Sequence, residues 1–250
     1  MLEDYLAIDL EMTGLNPKTD RILEVGAVKV SGKQVTGTFS RLICPERRLE
    51  GQVVALTGIT DELAAQGGAL DDVLEEFLEF AGDLVWVGHN VIFDYKFIRQ
   101  WEVNRRIQRS CYAVDTLKIA RKCLGGLERK SLDYLCEYFG IVRDKRHRAL
   151  DDAKAAQVLY EILERDFLEK EPELFAKKEL QYKVKRQTPA TSRQKEYLGV
   201  LLKRHRITPE IPLEQMSRSE ASRLTDRIIR QYGSQGRQDS SAESSSLERT

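Results

Sequence analysis

Five side chains in this sequence have the types and settings for hydrolytic chemistry: Asp9 and Glu11 in AIDLEMTGL, Asp94 in GHNVIFDYKF, and His147 and Asp152 in HRALDDA. Each acid stands in an otherwise apolar pattern, where an ionised carboxylate is too costly to bury without a compensating cation. Side chains alternate along a strand, so Asp9 and Glu11 share one face while Leu6, Ile8 and Leu10 occupy the other. Two carboxylates side by side repel, and a hard divalent cation such as Mg²⁺ or Mn²⁺ relieves the repulsion. Asp94 shares a helical stripe with Phe97, Ile98 and Trp101. Asp152 aligns with Ala155, Ala156, Leu159 and Leu163, whereas Asp151 falls with Lys154 on the more polar side, so Asp152 is the inward acid of the pair. An imidazole at position 147, in the loop before that helix, suits a general base. Taken singly, each feature also has an ordinary reading: solvated acids at a strand end, an acid at a helix start, a surface or capping histidine.

The surrounding pattern supplies elements to hold these groups. Residues 5–10 read as a buried strand, followed by ILEVGAVKV (22–30) and TGTFSRLIC (36–44), with the turn formers Ser31 and Gly32 between the latter two. Three strands joined by short turns make an antiparallel start. Leu70, Val73, Leu74, Phe77, Leu78 and Ala81 recur at helical spacing. LVWVG (84–88) and CYAVDT (111–116) are short strand-type runs, a helical period covers 92–103, and further helices are expected at 116–123, 131–139 and 149–168. The order βββ, then α-β-α-β and helices, predicts an α/β fold with a mixed sheet and helices on its faces. Residues 1–170 are expected to form this domain, 171–190 a charged linker, 191–233 a small basic helical module and 234–250 a disordered tail. Within the module, Thr191 with Gln194 and Ser217 with Glu220 match the capping-box spacing. Tyr197, Leu198, Leu201 and Leu202 give its first helix an apolar stripe, Ala221, Leu224 and Ile228 its second, and Gly233 is placed to end it.

Composition narrows the classes. Apolar residues make up 41% and charged residues 32% of 250, which fits a globular protein. No apolar run approaches the roughly 20 residues that span a bilayer, and MLEDYLAIDL lacks the basic start of a signal peptide, so a cytoplasmic location without a membrane partner is expected. The four cysteines show no Cys-x-x-Cys pairing, which points to reduced thiols rather than a zinc site. The net charge of zero hides an asymmetry: Lys177 to Arg230 holds 14 basic and 6 acidic residues, leaving the rest of the chain at −8. A basic C-terminal part on an acidic body suggests attraction for a polyanion, and a docking module for a protein partner fits the same residues.

In order and spacing, Asp9-x-Glu11, then His89-Asn90-x-x-x-Asp94, then His147-x-x-x-x-Asp152 resemble the three motifs of the DEDDh group of 3′-5′ exonucleases, over roughly residues 4–168. The group includes the epsilon-type proofreading subunits of bacterial replicative polymerases, ribonuclease T and oligoribonuclease. HNVIFD and LTGITDELAA (56–65) resemble the polymerase-associated type, while DLEMTGL and HRALDD resemble oligoribonuclease. The resemblance implies a ribonuclease H-like fold with a mixed five-stranded sheet flanked by helices. It further implies two divalent cations, Mg²⁺ or Mn²⁺, held by Asp9, Glu11, Asp94 and Asp152, with His147 taking the proton from the attacking water. Single-stranded 3′ ends would be degraded to nucleoside 5′-monophosphates, DNA being favoured and RNA possible. A polymerase or another replication or repair protein is the implied partner. Met12, Thr13, Gly14, Leu15, Asn90 and Phe93 are the implied substrate contacts. The other readings are an oligoribonuclease-like or ribonuclease T-like RNA exonuclease, and a nucleic-acid-binding scaffold without turnover.

Overall fold

A computed structural model describes residues 2–184, 186–209 and 211–232. Its chain divides into two compact units, the first running through Arg186 and the second starting at Gln187.

The first unit is built on a sheet. Strands β1 (Tyr5–Met12), β2 (Ile22–Ser31) and β3 (Gln34–Leu42) form the antiparallel part. Two short helices, α1 (Gly51–Thr57) and α2 (Asp61–Ala64), follow, and then α3 (Leu70–Ala81). Next come β4 (Val85–Gly88), α4 (Ile92–Arg105) and β5 (Tyr112–Asp115). Helices α5 (Thr116–Cys123), α6 (Leu132–Phe139) and α7 (Ala149–Phe167) then precede a two-residue strand, β6 (Lys178–Glu179). The spatial order is β3-β2-β1-β4-β5-β6, with β4 and β5 parallel to β1 and β6 antiparallel to β5.

Both sides of β1 are covered, which is why it reads as a nearly continuous apolar run. Leu6, Ile8 and Leu10 enter one core with Phe77, Trp86 and Trp101. Tyr5 and Ala7 enter the other with Leu159, Tyr160 and Leu163 of α7. By alternation, Asp9 and Glu11 continue the α7 side. One glycine sets how closely α7 lies there. A Cβ on Gly26 would stand 2.1 Å from the Ala149 carbonyl carbon and the Leu150 nitrogen, so only glycine lets the first turn of α7 rest on β2. Gly26 is the direct cross-strand neighbour of Asp9.

The stretch expected as a linker begins instead as part of this unit. Pro172–Leu174 forms a 3₁₀ turn, Phe175 is buried 6.3 Å from the Tyr160 ring, and Leu180 is buried with its N–H donating to the Cys111 carbonyl at 2.8 Å. These two apolar side chains anchor a charged segment and add a sixth strand to the five that were expected.

In the second unit, α8 (Ser192–His205) and α9 (Arg218–Tyr232) pack through Leu198, Leu201, Leu202, Met216, Ala221 and Ile228. Both capping boxes close: Gln194 N–H donates to Thr191 Oγ1 at 3.2 Å, and Ser217 N–H donates to Glu220 Oε2 at 2.8 Å. Leu224 packs against this core half-buried, but Tyr197, expected within the stripe, lies at its edge and is 46% exposed. Gly233 and the expected tail fall outside the described residues.

Candidate active site

The site is assembled where β1 ends beneath the start of α7. Glu11 lies opposite Glu24 in the β1–β2 ladder. Glu24, 1% exposed, is held by Arg148 through two hydrogen bonds of 2.8 and 2.9 Å and also accepts the Ala149 N–H at 3.1 Å. The residue at the N-cap of α7, Arg148, makes no side-chain cap bond, so a carboxylate from β2 satisfies the helix end instead. One turn in, Asp152 is buried against the acids of β1, while Asp151 lies outside with Lys154 at 3.7 Å.

His147 adopts φ 55°, and its backbone N–H donates to Asp152 Oδ2 at 3.2 Å. This left-handed turn folds the loop back over the helix start. Glu11, His147 and Asp152 each offer a ligand atom, all within 4.8 Å of one another. Asp94 joins from α4, where it is buried and its Oδ1 accepts the Leu10 N–H at 3.1 Å, fixing it to β1 between Asp9 and Glu11. Asp9 is half-buried.

This concentration of acid has an electrostatic cost. Burial, and then the charges of Asp94, Glu11, Asp152 and Glu24, push the Asp9 carboxyl well above the usual carboxylate range. Glu11 is pushed up to about 8 by burial and by Asp152, Glu24 and Asp94, against the opposing pull of Arg148. Asp94 is pushed up to about 7 by burial, with the Leu10 amide opposing it. Burial also raises Asp152, opposed by Arg143, whose guanidinium stands 2.5 Å away and also pairs with Asp133. A cluster that lifts several carboxyls together has the chemistry of a cation site: hard oxygen donors, one imidazole and too little resident positive charge. The donor set therefore fits a hard divalent ion.

The expected substrate contacts separate by environment. Leu15 is 77% exposed beside the site, an unusual position for leucine. Thr13 does structural work: its hydroxyl accepts from Arg47 Nη2 at 2.6 Å and from Arg21 N–H at 3.0 Å, clamping the loop after β1. Gly14 makes room for Asp20, whose carboxylate a Cβ would approach at 2.5 Å. Met12 and Phe93 are half-buried against the core, and Phe93 packs edge-on to Phe97. Asn90 is exposed, with φ 71° and its N–H on Asp115 Oδ1 at 3.0 Å.

His89 is a clip rather than a base. Its Nε2 lies 2.7 Å from the Lys130 carbonyl, which can only accept, so Nε2 carries the proton and Nδ1 faces the Thr116 hydroxyl at 2.9 Å. Burial lowers its basicity.

A family model described as exonuclease, of the ribonuclease T type, matches residues 6–160, well over half of the chain. This chain belongs to that exonuclease family. Among its relatives, the DNA polymerase III subunit epsilon of Aquifex aeolicus is 38% identical over 162 residues, covering 64% of this chain and 80% of that protein. The PolC-type DNA polymerase III of Thermotoga maritima is 39% identical over 163 residues, but the chain spans only 12% of its length. Exonuclease I of E. coli, solved with a dT13 oligonucleotide, superposes with a TM-score of 0.60 at 20% identity, over 70% of this chain and 43% of that one. Exonuclease X, solved with 5′ overhanging duplex DNA, gives 0.52 at 24% identity, over 65% and 92%. The exonuclease unit thus has the ribonuclease H-like fold of an epsilon-type exonuclease. The family generally uses divalent metal ions, and no helix among the described residues is long and apolar enough to cross a membrane.

Several residues that build the acid cluster were not singled out from sequence: Glu24, Gly26, Arg143 and Arg148. A signal existed for Glu24, a lone acid within the apolar run ILEVGAV. For the others the signal is purely tertiary.

Proposed function

We propose that this chain is a metal-dependent 3′-5′ exonuclease that removes nucleoside 5′-monophosphates from single-stranded ends, with DNA favoured over RNA. The observation that carries this reading is the convergence of Glu11, His147 and Asp152 within 4.8 Å, beside Asp94 and Asp9, at one strand end. In this reading Asp9, Glu11, Asp94 and Asp152 hold two Mg²⁺ or Mn²⁺ ions. Such ions supply Lewis-acid polarisation of the phosphodiester and stabilise the leaving 3′ oxygen. His147, 37% exposed on its side chain, is the general base for the attacking water, and Asp133, 4.0 Å from its Nε2, steadies the imidazolium that forms. Leu15, projecting from the clamped loop after β1, packs against the terminal nucleotide, with Met12 and Gly14 beneath it and Phe93 across the site, while Asn90 meets the strand beyond that nucleotide. Thr13 contributes by holding that loop.

The identity with an epsilon subunit supports a polymerase or replication partner, and a cytoplasmic setting belongs to the same reading. Incubation of 5′-labelled single-stranded DNA, duplex with a 3′ overhang, and RNA with Mg²⁺ or Mn²⁺ tests it. A ladder shortening from the 3′ end, fastest on single-stranded DNA, is expected. Faster cleavage of RNA dinucleotides would make this an oligoribonuclease-like enzyme. Intact label at high protein concentration with either metal would leave only a binding role.

A further inference from the structure

The parallel strands β1, β4 and β5 all finish at the same edge of the sheet, and in open α/β sheets ligands gather outside such carboxyl ends. The acid cluster uses the end of β1. Beyond the ends of β4 and β5 lies a second concavity of about 570 Å³, whose walls include Asn90, Leu117, Arg121, Gly125, Lys130 and Leu132. Its character is the reverse of the acid cluster. Among the described residues its walls carry two cations and no carboxylate, the Asp115 carboxylate beneath them being buried and taken up by backbone N–H groups.

Its floor is rigidly made. One carboxylate oxygen, Asp115 Oδ1, accepts from both Asn90 N–H and Leu117 N–H at 3.0 Å, tying the end of β4 to the first turn of α5. His89 joins the same strand end to the α5–α6 loop through the Lys130 carbonyl. With the backbone fixed, the Asn90 side chain is left to project from an exposed left-handed residue, and Arg121 projects from the last turn of α5. Leu117 and Leu132 supply apolar wall, while Gly125 has open space where a side chain would stand. A cationic rim, an amide and an apolar wall together match one nucleotide, with phosphate on the cations and sugar or base on the leucines.

Position gives the ligand its place in the strand. Neighbouring strands lie about 4.8 Å apart, so the end of β5 is about 10 Å from the acids of β1. At about 3.4 Å per stacked nucleotide, and more where the strand is extended, that is on the order of one to three nucleotides from the reacting bond.

We propose that this cavity is a subsite for the phosphodiester of a nucleotide upstream of the 3′-terminal one, with Arg121 as its principal phosphate contact and Asn90 beside it. The inference rests on the exonuclease reading above and deepens it, because the subsite has a function only if a strand leads away from the acid cluster across the sheet edge. Lys130 donates to the Leu127 carbonyl and so contributes its remaining N–H groups and its charge.

The test compares full-length wild type and Arg121→Glu on two substrates. One is the p-nitrophenyl ester of thymidine 5′-monophosphate, which has no upstream nucleotide; the other is a six-residue thymidine oligonucleotide. Arg121 is exposed on a helix end, so its replacement leaves the fold intact, which circular dichroism checks. The ratio of kcat/KM on the oligonucleotide to that on the ester is expected to fall about tenfold, the order of one charge-assisted contact. The salt slope of KM for the oligonucleotide is expected to fall by about 0.7, the loss of one phosphate contact on a single strand. An unchanged ratio and slope would overturn the subsite while leaving the exonuclease reading in place. Wild type inert on both substrates with Mg²⁺ and Mn²⁺ would remove the exonuclease reading, and the subsite with it.

Discussion

Replacing Glu11 by glutamine should make the metal-free exonuclease unit more stable at alkaline pH, although the side chain lies in the middle of the acid cluster. Glu11 is 8% exposed, and its carboxyl is pushed from 4.5 up to about 8 by burial and by the neighbouring acids. A folded state that holds a proton more tightly than the unfolded chain is favoured at low pH. Its advantage is complete below about 4.5 and is lost as pH climbs to about 8. At about 1.4 kcal/mol per pH unit, ionising Glu11 inside the fold costs on the order of 5 kcal/mol by pH 8.5. Glutamine escapes this cost but buries an amide, a loss of about 1–3 kcal/mol. The net expectation is a gain of about 2–4 kcal/mol at pH 8.5, shrinking to nothing or reversing at pH 5. Divalent metal should invert the order at pH 8.5. Wild type gains about 4.1 kcal/mol when Mn²⁺ stands at about a thousand times its dissociation constant, whereas the glutamine variant, with one ligand missing, gains little. Urea unfolding followed by tryptophan fluorescence reads this unit alone, since both tryptophans, Trp86 and Trp101, lie in its core. Equal or lower stability of Glu11→Gln than wild type at pH 8.5 in chelator would refute the electrostatic account of the site.

Three other substitutions probe separate parts of the structure. His147→Ala should lower kcat by about 10²–10⁴ while keeping most of the Mn²⁺-induced rise in Tm, and loss of that rise would make His147 chiefly a ligand. Arg148→Ala strands the buried Glu24 carboxylate and should cost about 3–5 kcal/mol in urea unfolding, whereas the double variant with Glu24→Gln should recover much of it. Arg143→Gln removes the cation that competes for Asp152, so Mn²⁺ titrated by calorimetry should bind more tightly; weaker binding would mean that Arg143 helps to build the site.

Much of the fold is legible in the sequence because its elements are locally consistent. The β1 run alternates between two buried faces, α3 carries a clear apolar stripe, and α7 is long enough for its period to separate Asp152 from Asp151. What escaped reading lacks a local pattern. Helices α1 and α2 have 7 and 4 residues, too few for periodicity to emerge, and β6 has 2. The segment around Phe175 and Leu180 looks like a linker because charged residues surround two isolated anchors. In the site, the acids announce themselves by sitting among apolar residues, but their partners do not. Arg143 and Arg148 are ordinary members of a basic loop until the fold brings Asp152 and Glu24 to them. Thr13 shows the opposite difficulty: its place next to the first acidic motif suggests a ligand contact, yet its hydroxyl is occupied by Arg47 and Arg21.

The bare contact between Gly26 and the first turn of α7 acts as a pivot. Helix α7 has 19 residues and so extends about 28 Å, while Asp152 lies only about 4.5 Å along the axis from Ala149, the residue at the fulcrum. A tilt of about 10° would swing the far end by about 5 Å but carry Asp152 by less than about 1 Å. Core side chains farther along the helix can therefore drift in size, or flex with temperature, with little effect at the acids. The geometry of the acid cluster is mechanically decoupled from most of the core that supports it.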